Sequence, residues 1–454
     1  MGSVPKSRKL SHRLFLQFLS ALAIWFNTPI SSYAGPETAK PYLRQIRIDS
    51  LSKAILALDI ANGSNLAAAA LSDLRVRVWR LDSGQLVHEF SFTEPATDQH
   101  LKLADEVEPI SLHFSPNGKI LAVGFLNSIH LYSVPSWEEQ NSLTVPGEDQ
   151  VRPGTTTTHE RPELQRRPAE QAQAQSQQPI RDINQTMREW AAKRGQGDGR
   201  TRILTFEFTS DGSSILASYC RSACYFSTWA GSRWMFPSGK DPLRLWNVSL
   251  RSLTWERMYD PKGVMSRIVL LPNDERFVGV NSELGHCAVG AYDLATGQTL
   301  WSNPLRSCAS PPILVILPDS HSFITNRIAE ANHKNKAYRY AALYETASGK
   351  KIADIPDADG VALADISSDG RWLVSTTWRG TQFQIWDLQA KKIVMKAVPK
   401  GWSRTADCVL NRVRLSQDNR WLVVGCNMRG DLAVYQWAEG QYPPQPEMLN
   451  YPPR

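Results

Sequence analysis

The 454-residue chain contains no CxxC, no HxxxH and no CxxCH. That removes the usual zinc, dithiol and covalent-haem spacings. Its nine histidines are scattered along the chain, so no metal and no cofactor is expected. GxSxG is missing as well, which leaves no nucleophile elbow. Asp and Ser gather in short turn-like clusters, where their side chains bond local backbone and do not form catalytic dyads. No apolar run is long enough to cross a bilayer. Charge of one sign is also scarce: the net value is +7, and four of those cations (Lys6, Arg8, Lys9, Arg13) precede residue 14. The remainder is about +3, too weakly basic for a nucleic-acid partner.

Residues 1–34 read as a secretory signal peptide, with a retained N-terminal anchor as the alternative. The four cations form a basic n-region, LFLQFLSALAIWF (14–26) an apolar h-region, and Ser32-Tyr33-Ala34 a small-residue cleavage site before Gly35. No Cys follows the apolar run, which argues against lipid anchoring. The expected location is periplasmic or secreted, with no membrane span after cleavage.

Beyond that leader the chain is strongly periodic. Residues 361–396 read as four short strands: Val361–Ile366, Trp372–Thr376, Gln382–Trp386 and Ile393–Met395, with the turn SSDG (367–370) after the first. That turn recurs as ANGS at 61, SPNG at 115, TSDG at 209, PNDE at 272, PDSH at 318 and QDNR at 417. After each comes a strand with an aromatic residue: Trp79, Tyr132, Trp246, Tyr292, Tyr344, Trp386 and Tyr435. Turns and aromatic strands pair in order, so the unit count is seven. A lone four-stranded unit cannot bury both of its faces and needs neighbours.

The pattern resembles the WD40 β-propeller family, with Trp386-Asp387 in the WD position and Asp73 ahead of Trp79. The resemblance covers residues 43–441 and implies an all-β fold, a seven-bladed β-propeller of four-stranded antiparallel blades. The departures are that no Gly-His dipeptide opens a blade and that one WD pair is present, which removes most of the family's hydrogen-bonded tetrad. On this reading blades 1–2 occupy 43–145, blades 3–7 occupy 201–441, and 442–454 is a Pro-rich tail. Propellers of this family commonly close by pairing an N-terminal strand into the last blade. Residues 43–48 (LRQIRI) fit that role, and closure removes the exposed edge.

Three insertions interrupt the repeats. Residues 146–200 carry TTTT and nine Gln and read as a largely disordered connection. Within them Ile180, Ile183, Met187 and Trp190 share one helical face, suited to docking on the propeller or on a partner. Residues 221–241 and 326–339 fall between the second and third strands of blades 3 and 5. In WD40-like propellers such loops and the inter-blade connections share one face, which here becomes aromatic and basic. The candidate partner-binding residues are Arg233, Trp234, Trp378, Arg379, Lys400, Trp402, Arg404 and Arg429. Packing of these tryptophans against their own loops is the alternative.

Six cysteines in an exported chain point to bridges, with free buried thiols as the alternative. Nearness in this topology favours Cys220-Cys224, Cys287-Cys308 and Cys408-Cys426, the last pair facing each other about the turn near 417.

Ala291–Trp301 (AYDLATGQTLW) also matches the A-x-D-x-x-T-G-x-x-x-W pattern of quinoprotein-type propeller blades, with partial echoes at 81–90 and 345–355. In that family the Trp docks between adjacent blades. No adjacent Cys-Cys pair accompanies it, so the motif implies packing, not a quinone cofactor.

Fold alone does not give function. The leading expectation is an exported, non-enzymatic scaffold that binds a protein or peptide through its basic-aromatic face. The alternatives are a propeller enzyme (hydrolase, lactonase or oxidoreductase), which requires convergent His, Asp or Glu at the central channel, and a glycan-binding module.

Overall fold

The computed structural model describes residues 42–51, 53–92, 106–107, 110–144, 201–220, 224–227, 232–235, 241–258, 264–283, 286–305, 313–326, 341–355, 361–377, 382–400, 402, 410–426 and 430–438. These residues form seven four-stranded antiparallel sheets arranged as a closed seven-bladed β-propeller. The innermost strands are Ile55–Ala61, Ile110–Phe114, Arg202–Phe208, Val264–Leu270, Leu314–Ile316, Val361–Ile366 and Leu410–Leu415, each in contact with the next around the ring. The second and third strands of each blade carry the core. Leu66–Leu71 and Trp421–Cys426 are buried at every position, whereas the outer strand Ser252–Met258 is almost wholly exposed.

Ring closure follows the expectation. Tyr42–Ser50 pairs antiparallel with Asp431–Ala438, setting Leu43 opposite Trp437 and Ile48 opposite Ala433. Gln45 strengthens this edge, because its side-chain carbonyl accepts the Lys400 N–H (2.8 Å) and its amide donates to the Lys400 carbonyl (3.3 Å).

The turn between first and second strands is built the same way in several blades. A Ser or Thr hydroxyl donates to the Asn or Asp two residues on, as in Ser115 to Asn117 (2.8 Å), Thr209 to Asp211 (2.7 Å) and Ser416 to Asp418 (2.6 Å). These turns also interlock. Asp274 and Asn419 occupy left-handed positions (φ 53° and 54°) where other blades have glycine. Their side chains then reach the preceding blade: Asp274 accepts the Ser210 N–H (2.8 and 3.0 Å), and Asn419 accepts the Ser368 N–H (3.1 Å).

A second set of ties runs along the outside. Trp255 of blade 3 donates its indole N–H to the Leu294 carbonyl of blade 4 (3.0 Å), and Trp301 of blade 4 donates to the Thr346 carbonyl of blade 5 (2.9 Å). In the equivalent slot of blade 1, His88 stacks on Trp137 of blade 2, with ring centroids 5.4 Å apart. Each indole lies over a turn glycine, and a Cβ on Gly349 would stand 2.8 Å from the Trp301 ring. The motif at 291–301 therefore packs between blades, as expected. Trp255 uses the same slot, although its own blade lacks the full motif.

Trp386 donates to the Ser375 hydroxyl (3.2 Å), while Asp387 is buried and accepts both the Ala390 N–H (2.8 Å) and the Arg371 guanidinium (3.1 Å). The one Trp-Asp pair is thus held inside blade 6.

The insertion at 221–241 is more ordered than a loop. Cys224–Ser227 and Ser232–Met235 form a hairpin, and Glu106–Val107, from the connection between blades 1 and 2, pairs with Phe226 and Ser227. This three-stranded sheet lies outside the seven blades. Residues 146–200, with the segment 180–190, and most of 326–339 fall outside the described residues. So do the signal peptide and the C-terminal tail.

Candidate functional site

A β-strand alternates its side chains, so one register position of each innermost strand faces the central axis. The position two residues before the turn's Ser or Thr holds His113, Glu207, Asp365 and Arg414 in blades 2, 3, 6 and 7, and Asp59 stands there in blade 1. Blades 4 and 5 have Val269 and Val315. Five polar or charged side chains therefore converge at one level of the channel, at the end with the short first-to-second-strand turns.

The geometry is compact. His113 Nδ1 lies 3.7 Å from Asp59 Oδ2 and 3.9 Å from Glu207 Oε2, and Arg414 Nε lies 3.4 Å from Asp59 Oδ1. Side-chain exposure runs from 13% at His113 through 27% at Glu207 to 32% at Arg414, so channel water reaches the row. Burial pushes Asp59 up to about 6 against the opposing pull of Arg414. It pushes Glu207 up to about 8, with Arg414 opposing and Asp59 adding. Asp365 is raised for the same reason. Burial pulls Arg414 down, but the three carboxylates outweigh it and hold the guanidinium charged.

Most of these groups also join blades. Asp59 accepts the Phe114 N–H (2.8 Å) across the blade 1–2 junction, and Asp365 accepts the Leu415 N–H (2.8 Å) across the blade 6–7 junction. At the 7–1 junction Arg414 Nε donates to the Leu58 carbonyl (3.1 Å) and Arg412 Nε to the Leu56 carbonyl (3.0 Å). Leu56 lies in a β-bulge, as does Leu204, whose carbonyl accepts the Ser111 hydroxyl (3.2 Å). Bulges in the innermost strands free a carbonyl, and the neighbouring blade supplies the donor. Glu207 has no such backbone task; its Oε2 faces His113 Nδ1 at 3.9 Å. Glu207 and His113 are thus two titratable side chains that stand near the Arg414 guanidinium. Sequence reasoning did not pick out this row, although its constant offset from the repeated turn was a usable signal.

The expected partner-binding residues are distributed differently. Lys400 is exposed in the blade 6–7 connection. Arg233 and Trp234 lie on the extra hairpin, opposite Phe226 and Tyr225 in register. Trp378, Arg379, Arg404 and Arg429 fall outside the described residues. Trp402 requires a correction. It is 8% exposed and packs in the blade 6–7 core with Phe383 and Leu410, so it is a core residue and not an exposed anchor.

Cys308 and Cys408 lie outside the described residues, and the expected pairings with Cys287 and Cys426 lie there with them. Leu410 stands opposite Cys426 in register. A bulge between Leu410 and Arg412 shifts the pairing from simple symmetry about 417. Cys220 ends the second strand of blade 3, with Cys224 opening the hairpin strand, and the Leu305 N–H donates to the Cys287 carbonyl (2.7 Å) three residues before Cys308.

Among the described residues no group of three or more His, Cys, Asp or Glu is placed to hold a metal ion, and no helix is long and apolar enough to cross a membrane. No protein-family model matches the chain, and no curated protein matches it.

Proposed function

We propose that this protein is an exported, non-enzymatic β-propeller that binds a protein or peptide through its loop-bearing end. The observation that carries this reading is the sheet of Glu106–Val107, Cys224–Ser227 and Ser232–Met235. It is assembled from an inter-blade connection and a second-to-third-strand insertion, which leave the propeller at the same end. The opposite end has short turns tied to one another by Asp274 and Asn419. Elaborated segments on a rigid scaffold are where binding usually resides. Arg233 and Trp234, on this sheet, are of residue types enriched at interaction hot spots. Export is supported by the leader at 1–34 and by the absence of free cysteines among the described residues. The bridges that fit are Cys220-Cys224, Cys287-Cys308 and Cys408-Cys426.

A test uses the exported protein with Arg233→Ala and Trp234→Ala, each against exchange of the turn at 389–392. The hairpin variants should lose co-purifying partner while the turn exchange retains it. The reverse result refutes the face assignment.

The Asp59, His113 and Glu207 row favours a second reading, acid–base catalysis in the channel. It predicts that Glu207→Gln removes turnover of a substrate and leaves partner binding intact.

A further inference from the structure

We infer that Asn62-Gly63 is a site of spontaneous covalent modification, where the Asn62 side-chain amide is converted by water to an aspartyl or isoaspartyl residue.

The chain has two Asn-Gly pairs, Asn62-Gly63 in the first-to-second-strand turn of blade 1 and Asn117-Gly118 in that of blade 2. Such a pair is open to attack by the glycine nitrogen on the preceding side-chain amide, because glycine has no Cβ to screen that nitrogen and turns freely. The fold treats the two pairs differently.

Asn117-Gly118 is locked. Asn117 Oδ1 accepts the Ser115 hydroxyl (2.8 Å) and the Lys119 N–H (3.0 Å), while the Gly118 N–H donates to the Ser115 carbonyl (2.8 Å). Gly118 is also buried, and a Cβ on it would stand 2.6 Å from the Asn62 carbonyl oxygen. Its nitrogen must break these contacts before it can turn toward the Asn117 amide. Asn62-Gly63 is open. Gly63 is exposed, a Cβ on it would meet nothing within 4 Å, and among the described residues nothing accepts its N–H. A hydrogen bond from Asn62 Nδ2 to the Pro116 carbonyl, at 3.2 Å, is what restrains the side chain.

The reaction needs only water. The Gly63 nitrogen gives its proton to solvent and bonds to Asn62 Cγ, and the Cγ–Nδ2 bond breaks as ammonia leaves with a proton from water. Water then opens the resulting five-membered imide at either carbonyl. Opening at Cγ gives aspartate, and opening at the main-chain carbonyl gives isoaspartate, which adds a carbon to the main chain between Ile55–Ala61 and Leu66–Leu71. Either product carries a carboxylate in place of the amide that donates to Pro116, so this tie between blades 1 and 2 is lost. Neither the channel row nor the loop-bearing end takes part.

Peptide mapping of the folded full chain at mildly alkaline pH, with the same chain in denaturant setting each pair's intrinsic rate, tests this. Folding should slow conversion at Asn117 at least about tenfold more than at Asn62, an activation difference of about 1.4 kcal/mol. Isoaspartate should appear among the Asn62 products, since direct hydrolysis of the side chain yields aspartate alone. Gly63→Ala, whose Cβ meets no neighbour, should slow conversion at Asn62 and leave Asn117 as it was. Equal slowing at the two sites, or an Asn62 that stays intact in the folded chain, overturns the proposal. Conversion of Asn62 at an unchanged rate in Gly63→Ala overturns it as well.

Discussion

Gln45 and Lys400 are 355 residues apart in sequence, yet the Gln45 side chain bonds both the N–H and the carbonyl of Lys400. The closing strand is thereby tied to the blade 6–7 connection as well as to its ladder partner. Gln45→Ala should cost about 1 kcal/mol, the net value of two partly exposed hydrogen bonds, and lower the melting temperature. Lys400→Ala should leave the melting temperature unchanged, because the contact uses Lys400 backbone alone. Equal losses in both variants would show that the tie is not what holds the strand.

Trp402→Ala should behave as a core deletion. Its indole is buried beside Phe383 and Leu410, so the loss should be about 3–5 kcal/mol by equilibrium unfolding. A loss below about 1 kcal/mol, the scale of a surface change, would contradict its placement.

These two residues show what could be read from the sequence. The seven units, the strands of 361–396 and the closing strand at 43–48 were legible because turn and aromatic positions repeat in phase. Trp402 was misread because a Trp in a connection looks the same whether it folds inward or outward. The extra sheet was hidden because Glu106–Val107 and the hairpin are distant in sequence and too short to show a period. The channel row went unnoticed because Asp59, His113, Glu207, Asp365 and Arg414 are chemically unlike. What they share is a register position.

The outer tryptophan ties predict a contrast between two glycines. Both Gly63 and Gly349 adopt positive φ (73° and 66°), but a Cβ meets nothing at Gly63 and lies 2.8 Å from Trp301 at Gly349. Gly63→Ala should cost about 1 kcal/mol for the backbone conformation alone. Gly349→Ala should cost a further 1–3 kcal/mol or so as the indole is displaced, with a change in Trp fluorescence. Matching losses would mean that Trp301 does not depend on this turn.

Stability should also follow pH with a defined sign. Glu207 is raised from 4.5 to about 8 and Asp59 from 3.8 to about 6, so the folded chain binds more protons than the unfolded chain between those limits. Their contribution is fully present below the unfolded values and is lost as pH rises through the folded ones. The melting temperature should therefore fall from pH 5 to pH 9, and Glu207→Gln should flatten the slope.

Non-reducing peptide mapping of material recovered from an oxidising compartment should find Cys220-Cys224, Cys287-Cys308 and Cys408-Cys426 linked. Six free thiols in that material would refute both the pairing and the inferred compartment.

Cross-linking mass spectrometry of the exported protein with its co-purifying partner bears most directly on the central claim. Lys53 and Lys400 lie in connections at the loop-bearing end, while Lys119, Lys350 and Lys391 lie in turns at the other. Amine-reactive links to the partner should run from Lys53 and Lys400, with Lys119, Lys350 and Lys391 unlinked. Links confined to Lys119, Lys350 and Lys391 would place the partner on the turn face and contradict the account.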